Sequence, residues 1–175
     1  MRILVTGGVR SGKSTHAEAL IGDRAASYVA AGPTPDAEAD PDWTARVAAH
    51  RARRPSAWTT VETQDLAAVL RDAQTPVLID CLGTWLTAVV DAEAAWEWPT
   101  DQVLDLVLAR VDDVVAALGE CSYDVVLVTN EVGLGVVPEH RSGRLFRDLL
   151  GTVNQRVAAA CDGVHLVVAG RVLKI

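Results

Sequence analysis

Only three cysteines occur in the 175 residues, Cys81, Cys121 and Cys161, and no C-x-x-C pair is among them. An odd, widely spaced set excludes a disulfide framework and points to reduced thiols in or near a core. No apolar run approaches the roughly 20 residues that a membrane-spanning helix needs. No basic-then-apolar leader precedes the first apolar strand. The expectation is a cytoplasmic chain. Zinc-ligand spacing is missing, as is the Gly-x-Ser-x-Gly elbow of serine hydrolases. Positive charge is in deficit, with a formal net charge of −7, so a nucleic-acid partner has no global support. There is no internal repeat, low-complexity stretch or linker. Residues 1–175 are therefore expected to form a single domain, long enough for one well-filled core.

One absence is local. Between Trp43 and Val61 there is no Asp or Glu, while Arg46, Arg51, Arg53 and Arg54 fall there, making a +4 island in a chain whose remainder is −11. A nucleotide's phosphates would satisfy such an island, although a solvated arginine face would give the same composition.

What the chain does have begins at its first turn. Ile3-Leu4-Val5 runs into Gly7-Gly8-Val9-Arg10-Ser11-Gly12-Lys13-Ser14, the spacing G-x-x-x-x-G-K-S, and Thr15 to Ile21 reads as a helix behind it. Strand, glycine loop and helix together are the context that a P-loop requires. The glycines let successive backbone N–H groups converge on phosphate oxygens, and the helix adds its positive end. Lys13 is placed to reach the outer phosphates and the Ser14 hydroxyl to join a Mg²⁺ shell.

Further along, Ser27 to Ala31 reads as a strand, and Gly32-Pro33-Thr34-Pro35 forces a loop. Asp40-Pro41 opens a helix that stops near Arg54-Pro55. Trp58 to Val61 reads as a strand ending at Glu62, and Asp65 to Ala73 as a helix. Val77-Leu78-Ile79-Asp80 is an apolar run closing on a carboxylate, the form of a buried parallel strand with a Mg²⁺-shell Asp at its ligand end. Asp80 as a helix N-cap is the other reading. Thr84 to Ala95, Asp101 to Leu118 and Arg144 to Cys161 read as helices, and Val125 to Val128 and Val164 to Val168 as strands. Strands alternating with helices predict one α/β domain with a mostly parallel sheet.

A P-loop marks a phosphate site without naming a reaction. His50 bears on that question, because it lies one helical turn after Arg46 and directly before Arg51, Ala52, Arg53 and Arg54. Neighbouring arginines discourage protonation, and a neutral imidazole is what a nucleophile attacking phosphorus needs. The same arginines would neutralise charge on the transferred group and on departing pyrophosphate. A surface histidine on a basic helix stands beside that reading. His16 reads as packed or solvated, His140 as a loop residue and His165 as a satisfied core histidine.

Several longer runs carry a resemblance. They are Val5 to Ser14, Arg46-x-x-x-His50 with Arg54-Pro55, Trp58-x-Thr60-x-Glu62 and Asp80-Cys81-Leu82-x-x-Trp85-Leu86-Thr87. Two more are Asn130-Glu131-Val132-Gly133-Leu134-Gly135-x-Val137-Pro138 and Arg144-x-Phe146-Arg147-Asp148-x-x-Gly151-x-x-Asn154-Gln155. In these the sequence resembles the bifunctional adenosylcobinamide kinase/adenosylcobinamide-phosphate guanylyltransferase family of cobalamin biosynthesis. The resemblance implies a RecA-like P-loop NTPase fold, commonly assembled as a trimer. It implies phosphorylation of adenosylcobinamide from ATP or GTP. It further implies transfer of GMP from GTP, through the histidine matching His50, to adenosylcobinamide phosphate.

Catalytic roles so implied fall on His50 and Lys13. Nucleotide contacts fall on Gly7 to Thr15, on Ala31, Gly32, Pro33 and Thr34, on Arg51 to Arg54, and on Glu62. The metal shell falls on Ser14 and Asp80. Asp42-Trp43 and Ala88 depart from patterns common in that family and leave the corrinoid-contacting surface open. A small-molecule kinase with an incidental His50, and a nucleotide-dependent switch, are the other readings. The switch is weakened because Glu131, rather than Lys, follows Asn130, so the Asn-Lys-x-Asp guanine reader is missing.

Overall fold

Ile3, Leu4 and Val5 lie in strand β1 (Arg2–Gly7) and alternate faces, Leu4 entering one core cluster while Ile3 and Val5 enter another. A strand covered on both faces has no reason to alternate polar with apolar residues, which is why these strands read as continuous apolar runs. The other parallel strands are β2 (Ala26–Ala30), β3 (Trp58–Glu62), β4 (Val77–Asp80), β5 (Val125–Val128) and β6 (Gly163–Val168). A seventh, β7 (Arg171–Lys174), is antiparallel to β6. The sheet order is β3-β2-β4-β5-β1-β6-β7. These are features of a computed structural model that describes residues 1–32 and 40–175, without the side chains of Trp43 and Arg46.

One face carries α3 (Leu66–Arg71), α4 (Leu82–Ala92), α5 (Thr100–Glu120) and α6 (Arg141–Ala159) over the larger cluster. The opposite face carries α1 (Lys13–Ile21), whose Ala17 and Ile21 join Val5, Val126 and Val128. The basic helix α2 is Pro41–Arg53. In β4 and β5, Val77, Leu78, Ile79 and Val125 to Val128 are completely buried, each stabilising the fold by about 1.5–3 kcal/mol. Sequential strands separated by helices give the parallel α/β architecture expected from the sequence.

The sequence reading ended at β6, whereas the chain continues into β7. Ala169 and Gly170, with φ of 49° and 75°, make a two-residue turn with both central residues left-handed, the geometry that matches hairpin twist. A nonglycine residue at the first of these positions hid the turn. The fourth helix begins at Leu82 and ends at Ala92, earlier at both ends than the expected Thr84 to Ala95, and a 3₁₀ turn follows over Ala95–Glu97. Its N-cap is Cys81, not Asp80, which leaves the Asp80 carboxylate uncommitted to capping. The sixth helix starts at Arg141 rather than Arg144.

His165 is almost fully buried and its Nδ1 lies 2.9 Å from His16 Nε2. Such a bond needs one ring nitrogen as acceptor, so it requires at least one neutral imidazole. Burial holds both rings below the usual histidine value of 6.5, helped for His165 by His16 and for both by Lys174. The unfolded chain then binds more protons than the native one as pH falls below 6.5, so the pair's contribution is full above that pH and is lost beneath it. The thermal midpoint is expected to fall more between about pH 7.5 and 5.5 in the native sequence than in His16→Gln. Equal falls would uncouple this pair from folding.

Candidate active site

The P-loop occupies the turn between β1 and α1. A Cβ on Gly7 would stand 2.4 Å from the Val167 carbonyl oxygen and 2.7 Å from Ser11 Oγ, so the turn can lie against β6 only with glycine there. Gly12 takes φ 97° immediately before α1, a conformation that side chains resist. Lys13 Nζ donates to the Gly8 carbonyl at 3.2 Å, and the Gly170 amide donates to the Ser11 carbonyl at 2.9 Å. The hairpin that escaped sequence reading therefore braces the loop.

Above the loop opens a cavity of about 620 Å³. It is lined by Val9 to Thr15, Gly32, His50, Arg53, Arg54, Glu62 and Asp80, together with Tyr28, Cys81, Thr84, Asn130 and Phe146. Residues distant in sequence thus meet the P-loop at the C-terminal ends of the strands, where open α/β sheets take ligands. Asp80 reaches this space although β4 is not next to β1, because β5 lies between them.

The helix carrying His50 is tied down by polar contacts. Arg53 donates to Glu18 of α1 at 3.2 Å, Arg54 donates to Thr60 Oγ1 at 2.9 Å, and Arg51 pairs with Glu62. The Arg54 guanidinium also sits 3.3 Å over the Tyr28 ring, a stacking that Arg supports better than Lys. Tyr28 in turn packs on Trp58, with ring centroids 6.4 Å apart. Burial, then the Asp80 carboxylate, pushes the Tyr28 hydroxyl well above its ordinary pKa, so it stays protonated.

His50 Nδ1 lies 3.8 Å from Asp80 Oδ2. Burial is the largest influence on its ring and lowers its pKa below 6.5. Arg53 and Arg54 lower it further, and the opposing pull of Asp80 and Glu18 does not overcome these. This is the direction that the neighbouring arginines imply, with burial as its first cause. Asp80 Oδ2 is itself buried without a hydrogen-bond partner. An orphaned carboxylate oxygen in the cavity that Ser14 also lines fits a Mg²⁺ ion, which accepts few protein oxygens and completes its octahedron with water and phosphate. Among the described residues no cluster of three or more His, Cys, Asp and Glu could hold a metal by itself.

Several expected contacts stand outside this lining. Gly7 is packed beneath the loop, and Gly8 is engaged through its carbonyl. Ala31 is buried in the core, Ala52 is exposed, and Arg51 turns to Glu62. Pro33 and Thr34 lie outside the described residues, as does the Arg46 side chain that was placed on the His50 face. Sequence reasoning missed Glu18, Tyr28, Thr84, Asn130 and Phe146. Glu18 had a visible signal, a carboxylate one turn after Ser14 on the P-loop helix, and Asn130 and Phe146 stood in runs that marked the family without marking a role.

The profile of the family described as cobinamide kinase / cobinamide phosphate guanyltransferase matches residues 3–175. The chain belongs to this family. The bifunctional adenosylcobalamin biosynthesis protein CobU of Escherichia coli (strain K12) is 44% identical over 185 residues, covering 100% of this chain and 99% of that one. CobU of Salmonella typhimurium is 43% identical over 189 residues, with 100% and 99% covered. Among solved structures, the P4 protein from bacteriophage phi6 in complex with ADP aligns with a TM-score of 0.45 at 16% identity, over 98% of this chain and 52% of that one. Family membership agrees with the resemblance read from the Asn130 to Pro138 and Arg144 to Gln155 runs. Among the described residues no helix is long and apolar enough to cross a membrane.

Proposed function

We propose that this chain is a bifunctional adenosylcobinamide kinase and adenosylcobinamide-phosphate guanylyltransferase, with both reactions served by the cavity above the P-loop. The observation that carries the reading is the meeting of His50 and Lys13 on the walls of one cavity, with His50 held neutral. In the kinase reaction the acceptor hydroxyl attacks the γ-phosphorus of ATP or GTP, and the nucleoside diphosphate leaves. In the second reaction a His50 ring nitrogen attacks the α-phosphorus of GTP, the bond to the bridging oxygen breaks, and pyrophosphate leaves. A phosphate oxygen of adenosylcobinamide phosphate then attacks the histidine-bound GMP. The P–N bond breaks, the imidazole is restored and adenosylcobinamide-GDP is released.

With Nδ1 facing Asp80, Nε2 is the nitrogen free to serve as nucleophile. Lys13, Arg53 and Arg54 meet the charge that builds on the phosphates. Ser14 and Asp80 would hold Mg²⁺, which supplies neutralisation of the outer phosphates when bound. Glu62 is available to a base or ribose hydroxyl only after parting from Arg51. The whole chain acts as one unit, in the cytoplasm, as a homotrimer.

The decisive experiment uses GTP labelled at the α-phosphate. The protein is expected to take up label in a form labile to acid and stable to base, as a phosphoramidate is, and to pass it to adenosylcobinamide phosphate. Label released only as free GMP would leave a simple P-loop kinase. Asp80→Asn is expected to raise the Mg²⁺ concentration for half-maximal kinase activity about tenfold or more, since it removes the charge that holds the ion. An unchanged Mg²⁺ requirement would take Asp80 out of the metal shell.

A further inference from the structure

Strand β5 runs between the P-loop strand and the Asp80 strand, with Val128 in register with both Val5 and Asp80. Two residues beyond Val128, at the same end of the sheet, Asn130 lines the same cavity as Lys13 and Asp80. None of the roles assigned so far uses it.

Its position is fixed by a buried polar chain. Thr129, completely buried, donates to Asn154 Oδ1 at 2.6 Å, and Asn154 Nδ2 donates to the Asn130 carbonyl at 3.1 Å. The Asn130 side-chain Oδ1 accepts from Cys81 Sγ at 3.6 Å. Gly83 makes room for it, since a Cβ there would stand 3.1 Å from Oδ1. With Oδ1 taken and the backbone held, the remaining group is the Nδ2 amide. It has no partner among the described residues. A primary amide nitrogen only donates, and the two elements flanking it are those that grip the outer phosphates and their cation.

We infer that Asn130 is a further catalytic residue, its Nδ2 donating to a non-bridging oxygen of the γ-phosphoryl group as that group passes to the acceptor hydroxyl. A donor held in place before the charge develops costs no reorganisation during transfer. The inference rests on the proposed reading of the site, which the wild-type labelling experiment tests separately from any change at Asn130.

The test is steady-state kinase assay of Asn130→Ala and Asn130→Asp with ATP and adenosylcobinamide, alongside their thermal midpoints. Loss of one transition-state donor predicts a kcat lower by roughly 10²-fold in the alanine variant. The KM for ATP is expected to stay within about threefold, as for an interaction made chiefly in the transition state. The aspartate variant keeps the side-chain shape and replaces the donor with a negative acceptor, so its kcat should fall at least as far. A kcat near wild type in either variant overturns the assignment. So does a loss of activity that follows a falling thermal midpoint or a rising KM, because that is the signature of a merely structural residue.

Discussion

His50→Ala is expected to take up no acid-labile label from α-labelled GTP and to lose guanylyl transfer by on the order of 10⁴-fold or more, the scale of removing a covalent nucleophile. The reason lies in the ring's surroundings. It is half-buried against Asp80, and burial leads the influences that lower its pKa. Among the described residues no other imidazole lines the cavity; His16 and His165 are bonded to each other, and His140 stands at the N-cap position of α6. A water molecule in place of the ring could still hydrolyse GTP, but it could not store GMP on the protein. Kinase turnover, which attacks the γ-phosphorus, should suffer far less. Label retained in His50→Ala would remove this residue from the reaction, whatever its distance from the P-loop.

Lys13→Ala is expected to depress both reactions, each by roughly 10²–10³-fold, because one cation serves the triphosphate in both. Lys13 Nζ rests on the Gly8 carbonyl at 3.2 Å, folded over the loop. The measurement is paired: kinase turnover with adenosylcobinamide, and the rate of label uptake from α-labelled GTP. Parallel losses support a single phosphate cradle. Normal guanylylation without Lys13, beside a crippled kinase, would mean that the α-phosphate is presented at a second place and that the single-cavity reading is wrong.

The P-loop was readable from the chain because its chemistry is local. Gly7, Gly12, Lys13 and Ser14 fall within eight residues, and the strand before them and the helix behind are written in neighbouring side chains. Strand and helix identities were legible for the same reason, since a sheet covered on both faces demands uninterrupted runs such as Val125 to Val128. The end of the sheet was not, because a turn with Ala169 at positive φ carries no glycine signal at its first position.

His50 shows where local reading stops. The basic segment announced an anion and the neighbouring arginines a neutral ring, yet the first cause of the lowered pKa is burial, and the helix that carries the ring is held by partners drawn from α1, β2 and β4. Glu18 clamps Arg53, Tyr28 carries Arg54, and Asp80 faces the imidazole. Those pairings span 26 to 35 residues of chain, and no periodicity encodes them. Asn130 is the extreme case: its sequence run spoke for the family, but only the strand order, with β5 between β1 and β4, brings it to the cavity above the P-loop. The chain by itself determined the elements and the phosphate cradle, through short-range backbone and patterning demands. Which side chains surround the cradle was decided by strand order and helix docking, because those depend on contacts between segments that have no memory of one another in sequence.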